Sequence, residues 1–249
     1  MNIGLYQSAA ALSSLERWQD AVTQNITSSQ VTGFKRRTVN FSSVEAGEVQ
    51  TDPKQKIGQG EGSPMYFPKV SYGISFQAGE SQPTGRDLDV ALGGEGFFEV
   101  KTADGSRGYT RMGELHLRKD RTLVTMKDEE ILSSRGQPIQ MLPQGGKVGI
   151  DEDGLITQGA NQIGRLSVVK FPDNKVLRPL SAGVYSAPDG INPVPVEKPG
   201  VLQGSIEASN VTPMREMVDL VNIARAYEAN QKLIQSRDDT MGKTLEALG

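Results

Sequence analysis

The sequence predicts an α+β chain in which long N- and C-terminal helices pair as a coiled coil around a mainly β middle, a sandwich or irregular barrel. Three observations carry this. Both ends repeat apolar residues every seven positions, as helices that bury one stripe against a partner do. Most of the 28 glycines and 13 prolines fall between residues 47 and 205, where they favour turns and short strands. Residues 84–204 alternate apolar and polar side chains in short runs bounded by turn residues. The expected organisation is a terminal helical domain of 1–34 with 205–249, an extended arm over 35–83, and a β-rich outer domain over 84–204.

Residues 3–28 read as one amphipathic helix, with Leu5, Leu12 and Ile26 on one seven-residue lattice and Leu15 and Val22 on another. It stops before Val31-Thr32-Gly33, a turn signal. Residues 35–83 have no sustained period and are punctuated by glycine and proline, so they read as an arm with short strands at Met65–Phe67 and Ile74–Ala78.

In the middle, Leu88–Leu92 alternates as a half-buried strand. Phe97–Lys101 and Arg107–Arg111 form a hairpin turned by Asp104-Gly105. Glu114–Arg118 continues the pattern with His116 on the polar side, and Leu123–Met126, Ile139–Leu142, Lys147–Ile150, Leu155–Thr157 and Arg165–Phe171 follow. Thr212 is placed to cap the last helix, with Pro213 in its first turn. From there to Ala247 one seam runs Leu220, Tyr227, Ile234, Met241, Leu248, and a second runs Met217, Ala224, Gln231, Asp238, Leu245. Thirty-five residues make about 50 Å of helix, beyond the usual globular range.

Composition narrows the function. Twenty-seven basic and 30 acidic side chains give a net charge of −3, so no overall field draws in nucleic acid. Lys35-Arg36-Arg37 is the one dense basic run, and it reads as a solvated turn after the helix. The absence of cysteine removes disulfides, thiolate catalysis and cysteine-bound zinc. A single histidine, His116, supports neither a catalytic triad nor a multi-histidine metal site, and reads as an exposed strand residue.

Gly93-Gly94-Glu95-Gly96 looks like a phosphate loop until Phe97-Phe98-Glu99-Val100 follows as strand instead of helix. Asp151-Glu152-Asp153-Gly154 lacks the glycine and glutamate positions of an EF-hand and reads as a β-turn. Carboxylate pairs such as Asp87/Asp89 and Glu129/Glu130 serve acid–base chemistry only inside a cleft. No catalytic residue, cofactor or metal is expected. No secretory leader is legible at the N-terminus, and no apolar run is long enough to insert in a bilayer.

Several segments together resemble the flagellar rod and hook family of bacterial axial proteins. Asn25-Ile26-Thr27-Ser28 with Thr32-Gly33-Phe34-Lys35 is similar to its N-terminal signature. Leu88–Leu92, Gly94–Val100 and Tyr109–Gly113 are similar to its central strands, and Ile163–Leu166 to a later piece. Gly204–Val211, Glu216–Val218 and Arg225–Lys232 resemble its C-terminal signature. Ser28, Val31-Thr32 and Asp120-Arg121 depart from the pattern; the last pair implies a different hairpin turn. The lean residues 35–83 are closer to the proximal rod subunits than to the distal ones or the hook.

The resemblance implies a structural subunit that is not an enzyme, exported without a cleaved leader through the flagellar export apparatus. It would assemble with copies of itself and other rod proteins, with no nucleic acid and no membrane insertion. The implied assembly surface is Leu5, Leu12, Leu15, Val22, Asn25, Ile26, Asn210, Met217, Leu220, Ala224, Tyr227, Asn230, Ile234, Met241 and Leu245. A distal rod or hook-type subunit, a soluble coiled-coil adaptor and an enzyme on the β domain are the rival readings.

Overall fold

The computed structural model describes residues 3–50 and 62–248. Helix α1 (Ile3–Thr27) leads to two long strands, β1 (Arg37–Gln50) and β2 (Gly62–Ile74). Short strands follow: β3 (Ser81–Pro83), β4 (Val90–Leu92), β5 (Phe97–Lys101), β6 (Arg107–Thr110), β7 (Leu115–Leu117), β8 (Leu123–Thr125) and β9 (Glu130–Ile131). After them come β10 (Val148–Ile150), β11 (Leu155–Gln158), β12 (Asn161–Arg165), β13 (Val168–Lys170), β14 (Arg178–Ser181), β15 (Val184–Ser186), β16 (Val194–Pro195), β17 (Val201–Gln203) and β18 (Ser205–Glu207). Helix α2 (Pro213–Leu248) closes the chain. The fold is therefore α+β, with terminal helices and a mainly β middle.

The chain divides into two compact units. One holds Met1–Ile26, Arg37–Gly73 and Thr212–Gly249; the other holds Thr27–Arg36 and Ile74–Val211. In the first, β1 and β2 pair as a two-stranded ribbon. Ser42 Oγ donates to Lys69 O at 3.4 Å and Ser71 Oγ to Asn40 O at 3.5 Å, which sets the strands antiparallel. The arm expected to hold two short strands is thus a long ribbon. Strand β2 includes Met65–Phe67, but of Ile74–Ala78 only Ile74 is strand. No period announced the ribbon because little of it enters a core: Phe41, Val44, Tyr66 and Tyr72 are exposed. Phe41 still stacks edge-on against Trp18 of α1, ring centroids 5.5 Å apart.

The second unit is built on a main sheet ordered β14-β15-β6-β5-β9-β8-β7, with β13 pairing both β5 and β16. Its central strand β5 is buried on both faces, because neighbouring residues enter different cores, whereas the edge strand β14 is exposed. Phe98 and Val100 join Leu115, Leu123, Ile131, Ile156 and Val184, whereas Phe97 joins Tyr109, Phe171 and Tyr185 in an aromatic cluster. Smaller sheets, β10-β11-β12, β17-β4 and β18-β3, complete the unit. Asp104-Gly105 turns the β5–β6 hairpin, with Gly105 at φ +84°. Asp120-Arg121 turns the next one differently: Arg121 takes φ +66°, and Asp120 Oδ1 accepts from Thr122 N at 3.0 Å.

Candidate functional site

The terminal helices meet in the first unit. Leu15, Val22 and Ile223 are buried together, with Trp18, Ile26, Leu220, Ala226 and Tyr227 packed on them. Asn25, near the end of α1, donates through Nδ2 to Glu216 Oε2 at the start of α2, 2.9 Å away. At the other end, a Cβ added to Gly4 would fall 1.2 Å from the Arg237 guanidinium. The helices therefore run antiparallel, and Gly4 is small because Arg237 crosses over it.

Of the first α2 seam, Leu220 and Tyr227 pack with α1 and Ile234 is partly buried, while Met241 is 42% exposed. The second seam lies one residue away from expectation. Met217, Ala224, Gln231 and Asp238 are exposed; Glu216 and Ile223 are buried, with Asn230 partly buried on the same line. Its polar members hid it from an apolar count. Glu216 is fully buried, and Asn25 supplies it with a donor. Asn25 also accepts from Arg37 N at 2.8 Å and donates to Arg37 O at 2.9 Å, so its amide serves the start of β1 and α2 at once. On α1, Leu12 is partly buried beside the buried Leu15 and Val22. The side chains of Leu5 and Leu245 lie outside the described ones.

A second apolar stripe remains on α2. Met214, Met217, Val218 and Val221 are 72%, 50%, 55% and 51% exposed, at the i, i+3, i+4, i+7 spacing of one helix face. Beside the seam, Leu220, Ile223, Ala224 and Tyr227 line an open groove of about 290 Å³ with Gln19 and Glu228. Asn230 does not reach across; its Nδ2 donates to Ala226 O in its own helix at 2.9 Å.

In the second unit the two signature segments meet each other. Lys35, from the run expected to be solvated, is buried with its Nζ on Glu207 Oε1 and on Gln77 O at 2.7 Å. Glu207 Oε2 accepts from Arg111 Nη1 at 3.1 Å, and its Oε1 also from Gly79 N at 2.9 Å. One carboxylate thus neutralises two buried cations, and Arg111 further lies 5.7 Å over the Phe97 ring and donates to Gly94 O. Burial pushes the Lys35 ammonium below its ordinary pKa, while Glu207 holds it up. Asn210, placed in the assembly surface by resemblance, is spent within this clamp. Its Oδ1 accepts from Arg36 N at 2.6 Å, and its Nδ2 donates to Ser75 O and Gln77 O. The passes 33–36, 75–79 and 207–210 are thereby tied together. Gly33 and Gly79 permit their close approach: an added Cβ would meet the Arg111 carbonyl carbon at 2.3 Å and Ala208 O at 1.9 Å.

Other motifs resolve as follows. Gly93–Gly96 turns into β5, and Gly154 N donates to Asp151 O at 2.9 Å in a β-turn. His116, on β7 opposite Val124 of β8, is half-buried instead of exposed. Among the described residues no group of three or more His, Cys, Asp or Glu could hold a metal ion, and no helix is long and apolar enough to cross a membrane.

Comparison with known proteins identifies the group. The flagellar basal body rod FlgEFG C-terminal family matches residues 202–247, and the flagellar hook protein FlgE/F/G D1 domain matches residues 91–158. The flagellar basal-body rod protein FlgF of Caulobacter vibrioides is 32% identical over all of this chain and 99% of its own length. The chain belongs to the flagellar basal-body rod protein family. FlgF of Rhizobium meliloti is 29% identical over the whole chain, and the rod protein FlgG of Agrobacterium fabrum 27% over 88% of it and 89% of its own length. The C-terminal match of this rod family spans the Glu207 and Asn210 side of the clamp and almost all of α2. Sequence reasoning missed Ile223, Glu216, Lys35, Arg111 and Glu207. Asn25, seven residues before Thr32 in the signature, was the available clue that a buried polar partner existed.

Proposed function

We propose that the chain is a structural subunit of the bacterial flagellar basal-body rod. It polymerises through its terminal helices into a tubular axial structure that carries torque, and it catalyses no reaction. One observation carries the reading. Helix α2 is apolar on two faces, and α1 covers only the one with Leu220, Ile223 and Tyr227. A chain related along its whole length to rod proteins, with a second stripe of Met214, Met217, Val218 and Val221 in water, has the surface a polymer needs.

In this reading α1 and α2 form a coiled-coil layer, residues 1–34 with 205–249 are the polymerising domain, and 84–204 face outward. Contacts in a growing tube are heterologous, so the α2 stripe meets a different surface on the next subunit. The partners are further copies, other rod proteins and the flagellar export apparatus, and the chain leaves the cytoplasm without a cleaved leader.

The test places Val218→Asp with Val221→Asp in cells lacking the native copy. Purified protein should keep its helix content and its melting temperature, since both side chains are already exposed. Basal bodies isolated from those cells should lack the subunit, and swimming in soft agar should stop. Normal incorporation of the double variant would remove this face from the assembly, and absence of the unsubstituted chain from basal bodies would remove the reading itself.

A further inference from the structure

We infer that a groove in the β-rich unit is a docking site for an acidic peptide segment. It is a cavity of about 360 Å³ between the loop 133–140 and the β11–β12 hairpin. Arg135, Arg165, Gln137, Gln140 and Gln162 line it, over an apolar floor that includes Ile139. No carboxylate is among the lining residues.

The two arginines line one groove on backbone segments joined by a hydrogen bond. Ser134 N donates to Arg165 O at 2.9 Å, which joins the turn carrying Arg135 to the strand end carrying Arg165. The turn that carries Arg135 is tight: Ser133 N bonds Gln137 O at 2.8 Å, Gly136 N bonds Ser133 O at 2.7 Å, and Gly136 sits at φ +74°. A third cation reaches this turn, for Arg107 Nη2 lies 3.4 Å from where a Cβ on Gly136 would be. Arg107 is only loosely matched by Glu99 Oε1, at 3.8 Å, while Glu99 Oε2 accepts from Ser167 Oγ.

Several arginines elsewhere in this unit are neutralised. Arg86 meets Asp89 and Glu114, Arg111 meets Glu207, and Arg118 meets Asp128 and Glu130. Arg135 and Arg165 have no side-chain partner among the described residues. Cations that line one groove with no carboxylate among them favour an arriving carboxylate. Planar guanidiniums suit carboxylates because they donate two parallel hydrogen bonds. The three carboxamides beside them both donate and accept, which is what a peptide backbone offers in return. A lone inorganic anion would leave those carboxamides and the apolar floor unused.

The inference rests on the rod reading only for the owner of the peptide, a neighbouring subunit. The probe is dye-labelled hexaglutamate, titrated into the full chain at low salt and read by fluorescence anisotropy. Arg135→Gln with Arg165→Gln should weaken binding about tenfold or more, Arg135→Lys with Arg165→Lys less, and Arg178→Gln, on β14, not at all. Added salt should weaken the wild type more than the Gln double variant. Both arginines are exposed, so circular dichroism of the variants should match the wild type.

Equal binding of hexaglutamine, or of hexaglutamate to the Gln double variant, would overturn the site, as would no binding at all. Displacement of the peptide by equimolar sulfate, or by a carboxylated disaccharide, would overturn its assignment to peptide. The rod reading stands or falls separately, on incorporation of the unsubstituted chain into basal bodies.

Discussion

Glu207 is one carboxylate answering two buried cations, so the consequences of changing it are asymmetric. Glu207→Gln leaves Lys35 and Arg111 facing each other in a buried site and should destabilise the β-rich unit by about 3–5 kcal/mol, measured by urea unfolding. Lys35→Met removes the ammonium that burial penalises and leaves Glu207 with Arg111 and Gly79 N, so its cost should be smaller. The pH dependence separates the two. Burial lowers the folded pKa of Lys35 below its unfolded value of 10.5, so between those two values the unfolded chain binds more protons. The penalty for the charged lysine is therefore present at neutral pH and fades as pH rises through that window. Unfolding free energy of wild type minus Lys35→Met should rise over the same range; a difference that falls would mean that the pairing with Glu207 outweighs the desolvation. Gly33→Ala tests the close approach. At φ +66°, with the Arg111 backbone where a Cβ would go, it should cost about 1–3 kcal/mol or more.

Along α2 the two faces have separate tasks, and single changes can distinguish them. Ile223→Asp puts a charge among Leu15, Val22 and Tyr227 and should unpair the helices at a cost on the order of 4 kcal/mol. Amide exchange should then rise along α1 and α2 while the β-rich unit keeps its protection. Met217→Asp, on the other face, should leave exchange unchanged. Protection lost equally in both variants would mean that the faces are not distinct. The element scale also shows what could be read in advance. Both helices, the Asp104-Gly105 hairpin and the seam through Leu220 and Tyr227 were legible, because each rests on local periodicity or turn chemistry. The β1–β2 ribbon was not, since its exposed aromatics alternate with nothing buried. The Glu216–Ile223 seam was off by one residue because one of its buried members is a carboxylate, which accepts from Asn25 and which an apolar count passes over. Lys35 was misread for the same reason. Three adjacent basic residues look solvated until a glutamate 172 positions away supplies the counter-charge.

The whole chain is organised by contacts between its remote ends. Residues 27–36 belong with 74–211 because Lys35, Phe34 and Gly33 bond to the segment from Glu207 to Asn210, and Gln77 and Gly79 join them. A fragment cut by composition alone, 84–204, would contain the strands and most of the apolar core but lose Lys35, Gln77, Gly79, Glu207 and Asn210. It would keep Arg111 buried with its carboxylate gone, an uncompensated charge beside Phe97. It would also lose β3 and β18, which pair with each other, and the aromatic cluster would lose Phe76. The fragment 27–211 keeps all of these. The two should therefore behave differently despite sharing the main sheet. Fragment 27–211 should unfold in one cooperative transition with a near-ultraviolet dichroism signal from its packed tyrosines. Fragment 84–204 should melt broadly and bind a hydrophobic dye. If 84–204 instead unfolds as sharply and at the same temperature as 27–211, the clamp contributes nothing to the unit that contains it. The meeting of the two signature segments would then have to be explained by what they do outside this fold.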